Sequence, residues 1–376
     1  DLSLKTFKIV NEEKGFERDL APQDTQTVYL PYRDGLTLVA EANDGYAEVT
    51  TSPASIPTLS RMSNYTVKVT VSKDLAGVDT KYKSKDYVLN LQYIGDVDLT
   101  PLASGGYVSF IPDEGTPGAY YETHTFLNPG DDTLLFVDTS LPEVQADILV
   151  VGGGGGSGGG KNSSDRGGGG GGGGLLYQAD QTLTLTSGSV SVTVGGGGAG
   201  GTGQNQGANG KDSSIGTITV PGGGGGGGGA WNGSRNGKNG GSGGGGGNGD
   251  PPGYPNGAPG TGYNGTDGIL GHNGSTDPSN GTTGGGGGGA GGSPSPFYAG
   301  GAGWKPSGNT GWEWVQTVTN TAEFARGGSG SSVEADANYG DGGSARSYSS
   351  GNEGHSGIVI IRFQREYKGE EPGPAE

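Results

Sequence analysis

The chain has 376 residues, of which 88 are glycine, 29% are hydrophobic and none is cysteine, and its formal net charge is −17. Seventy-six of the glycines fall between Gly152 and Gly357, a density several times the ~7% average, which excludes an ordinary hydrophobic core there. The charge excludes phosphate backbones and anionic head groups as natural partners, no run approaches the ~20 apolar residues of a membrane span, and the lack of cysteine removes disulfide frameworks and thiolate metal sites.

From Asp1 to about residue 97 short runs alternate apolar and polar residues, as in Gly35 to Ala42, Tyr65 to Val71 and Tyr87 to Tyr93. Pro22, Pro31, Pro53 and Pro57, with Asp34-Gly35 and Asp44-Gly45, stand at turn positions between them, and no helical window keeps a 3.6-residue period. The pattern predicts an all-β sandwich. Its strand order resembles the cadherin-like β-sandwich domains of bacterial surface proteins, in which a central strand such as Tyr65 to Val71 is answered by a last strand such as Tyr87 to Leu91.

A second strand set opens after Asp98: Tyr107 to Ile111, Tyr120 to Phe126, Thr133 to Val137 and Ile148 to Val151. Residues 98–151 and 357–363 are expected to frame the glycine-rich passage 152–356. Inside it three strand islands are predicted, at 181–194 as a hairpin about Ser187-Gly188, at 215–220 and at 314–324. Ile148 to Val151 and Ile358 to Ile361 are continuously apolar, the pattern of strands buried on both faces, so they are expected to be neighbours in one sheet. Residues 364–376 read as a linker, and a start at Asp1 with neither Met nor leader suggests a part of a longer multidomain chain.

Eight glycines in a row are expected either to form a flexible tether or to pack. Polyproline-II-like glycine helices rise ~3.1 Å per residue and make no internal hydrogen bonds, so their N–H and C=O groups must find partners on adjacent helices. Only glycine lets such helices close on all sides. The unbroken runs Gly167 to Gly174 and Gly222 to Gly229 are therefore expected inside a bundle, with the interrupted stretches Gly195 to Gly203 and Gly237 to Gly249 flanking them. Apolar and aromatic islands, among them Leu175-Leu176-Tyr177 and four tryptophans, argue against the tether.

Asp147 to Val151 leading into glycines, Ser191 to Val194 and Ile218 to Val220 each leading into more, and the closing Ser356 to Phe363 together resemble the glycine-rich domain of bacterial and phage surface proteins. The arrangement is also similar to the glycine-rich extracellular region of anaplastic lymphoma kinase and its relatives. That resemblance implies a tumour-necrosis-factor-like, jelly-roll-like β-sandwich carrying an inserted polyglycine II bundle, over about Tyr120 to Phe363. The fold class expected is thus all-β plus polyglycine II. The long passage Asn248 to Asn320, rich in Pro, Asn and aromatic residues, departs from the simplest bacterial pattern.

Catalytic and cofactor motifs are scarce. Gly155 to Lys161 is one residue short of a phosphate-binding loop, with Asn162 where Ser or Thr is needed, and no helix-forming sequence follows. His124, His272 and His355 have no metal-ligand spacing, and His124 is expected to be a partly exposed strand residue. No serine sits in a nucleophile elbow, and carboxylates such as Glu313, Glu323, Asp336 and Asp341 cannot be paired. Asp131-Asp132 and Asp336 to Asp341 read as solvated turns rather than calcium loops, since no DxDxDG loop occurs. No cofactor, no metal and no enzymatic activity are expected.

The aromatic residues carry the functional expectation. Tyr254, Tyr263, Phe297, Tyr298, Trp304, Trp312 and Trp314 fall in short loops between glycine stretches, where rings could stack on sugars while Asn264 and the amides of Asn256, Asn273 and Asn309 supply hydrogen bonds. The same rings could instead cap a glycine bundle that has little apolar cover of its own. The reading is an extracellular, bacterial cell-surface or secreted adhesin-like segment that binds a surface glycan or an extracellular protein, without nucleic acid or membrane insertion. A purely structural spacer and a phage tail-fibre tip are the alternatives.

Overall fold

The computed structural model describes residues 2–20, 22, 24–60, 63–73, 83–93, 101–112, 119–160, 166–229, 234–248, 256–265, 268–276, 284–295, 298–304, 323–330, 338–345 and 350–366. Among these the regular structure is β, in four sheets, apart from 3-10 conformation at Glu12–Lys14, which Gly15 ends at φ +61°, and at Gly268.

Seven strands build the N-terminal part: β1 (Leu4–Asn11), β2 (Phe16–Asp19), β3 (Thr25–Leu30), β4 (Thr37–Ala42), β5 (Glu48–Ser52), β6 (Asn64–Lys73) and β7 (Lys83–Tyr93). They form sheets in the orders β2-β1-β4 and β3-β7-β6-β5. Period-two alternation sends Val67, Val69 and Val71 of β6 and Tyr87, Leu89 and Leu91 of β7 into one core with Phe7 and Ile9 of β1, which is why both sheets fold together. Tyr65 and Leu91 are antiparallel partners, while β3 joins the other side of β7 in parallel.

This part is locked to the next by Arg18. Its guanidinium, only 6% exposed as a residue, lies 5.2 Å from the Phe16 ring and 5.0 Å from the Phe110 ring of the following part, and it donates to the Tyr29 carbonyl. Burial pushes its pKa down to about 10, and the two ring faces offset part of that desolvation.

Ten further strands follow: β8 (Ala103–Ser104), β9 (Tyr107–Pro112), β10 (Ala119–Phe126), β11 (Gly130–Phe136), β12 (Glu143–Val151), β13 (Leu175–Thr184), β14 (Ser189–Val194), β15 (Ser213–Ile215), β16 (Ile218–Val220) and β17 (Ile358–Glu366). Their sheets run β13-β12-β17-β10-β9 and β16-β15-β14-β11-β8. β12 and β17 pair antiparallel, with Val151 opposite Ile358 and Ile148 opposite Ile361. Ile148, Val150, Val359 and Ile361 point into the core shared with the second sheet, together with Phe136, Val192 and Ile215. Leu149, Val151, Ile358 and Ile360 face the other way, onto Leu175, Phe324, Ala325 and Ala290 from the glycine-rich passage. The central pair is therefore buried on both faces, as its unbroken apolar runs predict.

Two expectations change. The segment 181–194 is not a hairpin of paired strands: Ser187 (φ +51°) and Gly188 (φ +72°) make a tight turn with reciprocal Thr186 and Ser189 bonds, but β13 and β14 then diverge into different sheets. Turn chemistry is local, whereas each strand's partner is chosen by which face it must bury. The closing strand also continues past Phe363 to Glu366, because Ala119 to Phe126 offers it a partner along that whole length. The 215–220 island is a short hairpin about Gly216. Of the 314–324 island only Glu323 and Phe324 lie within the described residues, and Phe324 bridges to Trp304.

Candidate functional site

The margins of the glycine-rich body are where side chains are available, and the interior decides where those margins fall. Along 152–159 successive N–H groups point to different neighbours. Gly152, Gly155 and Gly158 donate to Gly174, Gly171 and Gly168 at 2.8–2.9 Å; Gly153, Gly156 and Gly159 donate to Lys211, Ala208 and Asn205; Gly154 and Ser157 donate to His355 and Asn352. Every third donor returns to the same segment. The carbonyls do likewise: Gly223, Gly226 and Gly229 donate to Gly153, Gly156 and Gly159, Gly198 and Gly201 to Gly154 and Ser157, and Gly343 to Gly155. One segment is thus bonded main chain to main chain on six sides.

The run 167–174 and the stretch 241–248 are surrounded in the same manner, and all of 152–160, 167–174, 222–229 and 241–248 is buried. The interior place of 241–248 corrects the expectation that Gly237 to Gly249 would flank the bundle; among the described residues of that stretch only 237–240 are peripheral, and Gly249 lies outside them. At Gly153, Gly155, Gly170 and Gly171 a Cβ would fall on a backbone oxygen of a neighbouring segment, well inside the 3.0 Å that real Cβ atoms respect. Ser157 is admitted to the interior because its Oγ acts as a surrogate backbone group, donating to Ser344 O at 3.0 Å and accepting from Asn352 N at 2.8 Å.

At the lateral edge of 222–229 side chains stand in for backbone partners. Gly222 N donates to Asp212 Oδ1 at 2.9 Å and Gly225 N to Asn209 Oδ1 at 3.0 Å. Gln206 and Asn209 then donate to Asn236 O and Asn239 O, while Asn236 and Asn239 accept from Ala258 N and Thr261 N. The spacing of three in Asn209 and Asp212, and in Asn236 and Asn239, matches the spacing of the donors they serve, Gly225 and Gly222 in one case and Ala258 and Thr261 in the other. An unpaired buried amide would cost about 1–3 kcal/mol, so each such side chain is structural at one end.

Beside this ladder, at the end of the body nearest the sheets, lies an open groove of about 550 Å3 whose walls include Asn209, Asp212, Pro221, Asn239, Thr261 and Tyr263. Of the residues expected to bind, Tyr263 is here, 39% exposed, with its backbone N–H on Gly241 O. Asn264 follows it at φ +52° and donates to Gly262 O and to Asn273 Oδ1, which itself accepts from Gly262 N. These two amides are occupied in holding the loop. Tyr298 is 45% exposed but stands beside Gly330, towards the opposite end of the body. Trp304 is half-buried in the second apolar cluster, its ring 5.8 Å from that of Tyr177. The described rings therefore do not form one platform. Tyr254, Phe297, Trp312 and Trp314 lie outside the described residues, as does Asn309.

Asn209, Asp212, Asn239 and Thr261, which line the groove, are not legible from the aromatic pattern, although the spacing of three in Asn209 and Asp212 and in Asn236 and Asn239 is a usable signal. Other sequence candidates are committed elsewhere. His124 is fully buried rather than partly exposed: its Nε2 is 3.0 Å from Glu122 Oε1 and its Nδ1 2.8 Å from Gly105 O. Glu122 also receives Arg365 and the N–H groups of Leu102 and Ala103, so these polar side chains tie β10 to β17 and to the start of the second sheet. Asp341 is not a solvated turn residue but 1% exposed, gripped by Arg326 Nε and an Nη at 2.9 and 2.6 Å. Burial pushes its carboxyl up against that pull. Glu323 accepts from Gly303 N. No group of three or more His, Asp or Glu side chains suited to a metal occurs among the described residues, and no helix among them is long and apolar enough to cross a membrane.

A family model described as a glycine-rich domain matches residues 137–364, well over half of the chain. No curated protein matches at a significant level.

Proposed function

The chain belongs to the glycine-rich domain family, and from that premise we propose that it is a non-catalytic extracellular module that presents side chains at the margin of a rigid polyglycine body for recognition of a surface glycan or an extracellular protein. In this reading the glycine segments are polyglycine II helices inserted into a jelly-roll-like, tumour-necrosis-factor-like sandwich, behind a cadherin-like domain. The observation that carries it is the three-residue recurrence of donors from 152–159 to the same neighbours, which is the repeat of a three-per-turn extended helix. Main chain replaces apolar side chains as the core, so exposed side chains such as Tyr263 and Asn239 are not needed to build it.

Hydrogen exchange tests the body. The amides of Gly155, Gly171 and Gly224 should exchange with the protection of the central strands β12 and β17. Exchange of these amides at random-coil rates would sink the reading.

A stiff spacer is the second reading, and one observation favours it: Trp304 is spent on packing against Tyr177, and Asn264 and Asn273 on each other. It predicts that the full chain binds nothing on glycan arrays or on whole cells, whereas the recognition module should bind at least one partner in those assays.

A further inference from the structure

The groove beside the amide ladder has a composition that selects among ligands. Asp212 uses one carboxylate oxygen to accept from Gly222 N, and its second oxygen has no partner among the described residues. Asn239 accepts from Thr261 N through Oδ1 and keeps both Nδ2 hydrogens unengaged there, while the exposed Thr261 hydroxyl makes no bond among the described residues. Tyr263 contributes a ring that is 39% exposed, and Pro221 a flat apolar wall. Acceptor, donors, hydroxyl and ring thus line one concavity of about 550 Å3, within the range of small-molecule sites.

We propose that this groove binds a neutral pyranose sugar, stacked on Tyr263 and hydrogen-bonded by Asp212, Asn239 and Thr261; the proposal rests on the recognition reading above and names its ligand class. A pyranose hydroxyl both donates and accepts, so neighbouring hydroxyls can donate to the free Asp212 oxygen and accept from Asn239 Nδ2. The C–H face of the ring packs on an aromatic face. Anions are disfavoured by Asp212 and by the net charge of −17, and among the described residues no Lys or Arg lines the groove to receive a phosphate. Among the described residues a metal ion would find one carboxylate in the groove, that of Asp212.

The ladder also supplies the rigidity such a weakly polar ligand requires. Asp212 and Asn239 are each fixed at one side-chain oxygen by a backbone N–H, and Asn209 at both ends by Gly225 N and Asn239 O. Their outward atoms are therefore oriented before a ligand arrives, which lowers the ordering cost of binding.

The test is a 15N chemical-shift titration of the full chain with the methyl glycosides of glucose, galactose, mannose and N-acetylglucosamine, and with sialic acid as the anionic probe. At least one neutral glycoside should give saturable shifts at the amides of Gly222, Thr261 and Tyr263, and sialic acid none. Tyr263→Ala should weaken that binding about tenfold, the effect of losing one good ring contact. Asn239→Asp keeps an acceptor for Thr261 N and replaces the Nδ2 donors by a second, charged acceptor oxygen, so it should weaken binding several-fold while the amides of Gly155 and Gly171 keep their shifts. Tyr298→Ala should have no effect. Absence of saturable shifts with all four neutral glycosides, or shifts indifferent to Tyr263→Ala, overturns the sugar site; a protein partner captured at the same groove also overturns it. These failures differ from that of the recognition reading, which fails when the full chain binds nothing on glycan arrays or on whole cells, and from that of the body, which is read from glycine amide protection.

Discussion

Val151 and Ile358 stand opposite each other in the antiparallel β12–β17 pair, although the whole glycine-rich passage lies between them in sequence. The insert leaves at Gly152 and returns at Gly357 from two adjacent strand ends, and Gly152 N still bonds to Gly174 O while Gly357 N bonds to Gly195 O. The sheet thus sets the spacing of the first glycine segments, and the glycine body covers the outer face of the sheet.

That coupling predicts a joint response to one substitution. Ile360 is fully buried against Phe324 and its neighbours, so Ile360→Ala should cost about 2–5 kcal/mol. In denaturant unfolding monitored by amide exchange, the glycines 152–156 should lose protection in parallel with β12. Loss of protection in β12 alone would separate the two parts.

Glycine should be irreplaceable by position rather than by composition. A Cβ at Gly170 would fall on the Gly155 carbonyl, whereas one at Gly196 meets only the Pro129 ring, at 3.7 Å. Gly170→Ala should destabilise by about 2–4 kcal/mol through forced separation of backbones and lost bonds, and Gly196→Ala by less than about 0.5 kcal/mol. Thermal unfolding of the two variants against the parent decides it.

The lateral ladder should depend on an acceptor, not on charge. Asn209→Ala strands the Gly225 N–H and should cost about 1–3 kcal/mol. Asp212→Asn retains an oxygen for Gly222 N and should change stability by less than about 0.5 kcal/mol. Equal losses in chemical denaturation of both variants would show that the ladder makes no such distinction.

In the N-terminal part, Lys73 donates to Asp44 at 2.6 Å and the Tyr46 N–H donates to the same carboxylate. The Lys73 bond, then the Tyr46 bond, pull the Asp44 pKa down to about 2 from 3.8. A depressed acid stabilises the fold above its unfolded pKa, and the contribution is lost as pH falls from about 4 to about 2. A carboxyl-carbon NMR titration should place the midpoint near about 2, and Lys73→Met should move it back towards the unfolded value.

The order of residues alone carries the all-β character, the doubly buried neighbours Ile148 to Val151 and Ile358 to Ile361, and the burial of the octets Gly167 to Gly174 and Gly222 to Gly229. The first follows from period-two alternation with no helical period, the second from unbroken apolar runs, and the third from glycine runs whose apolar and aromatic islands argue against a tether. Only the tertiary structure decided that 241–248 is also interior despite Ser242 and Asn248, that His124 is buried beside Glu122 in a strand whose polar alternation suggests an outer face, and that β13 and β14 part company after a well-formed turn. It likewise divided the asparagines between holding the lattice edge and facing the groove. The reason is common to all of these: a glycine segment or a strand carries unsatisfied backbone groups whose partners lie far away in the chain, and which neighbour satisfies them depends on the packing of every segment around it.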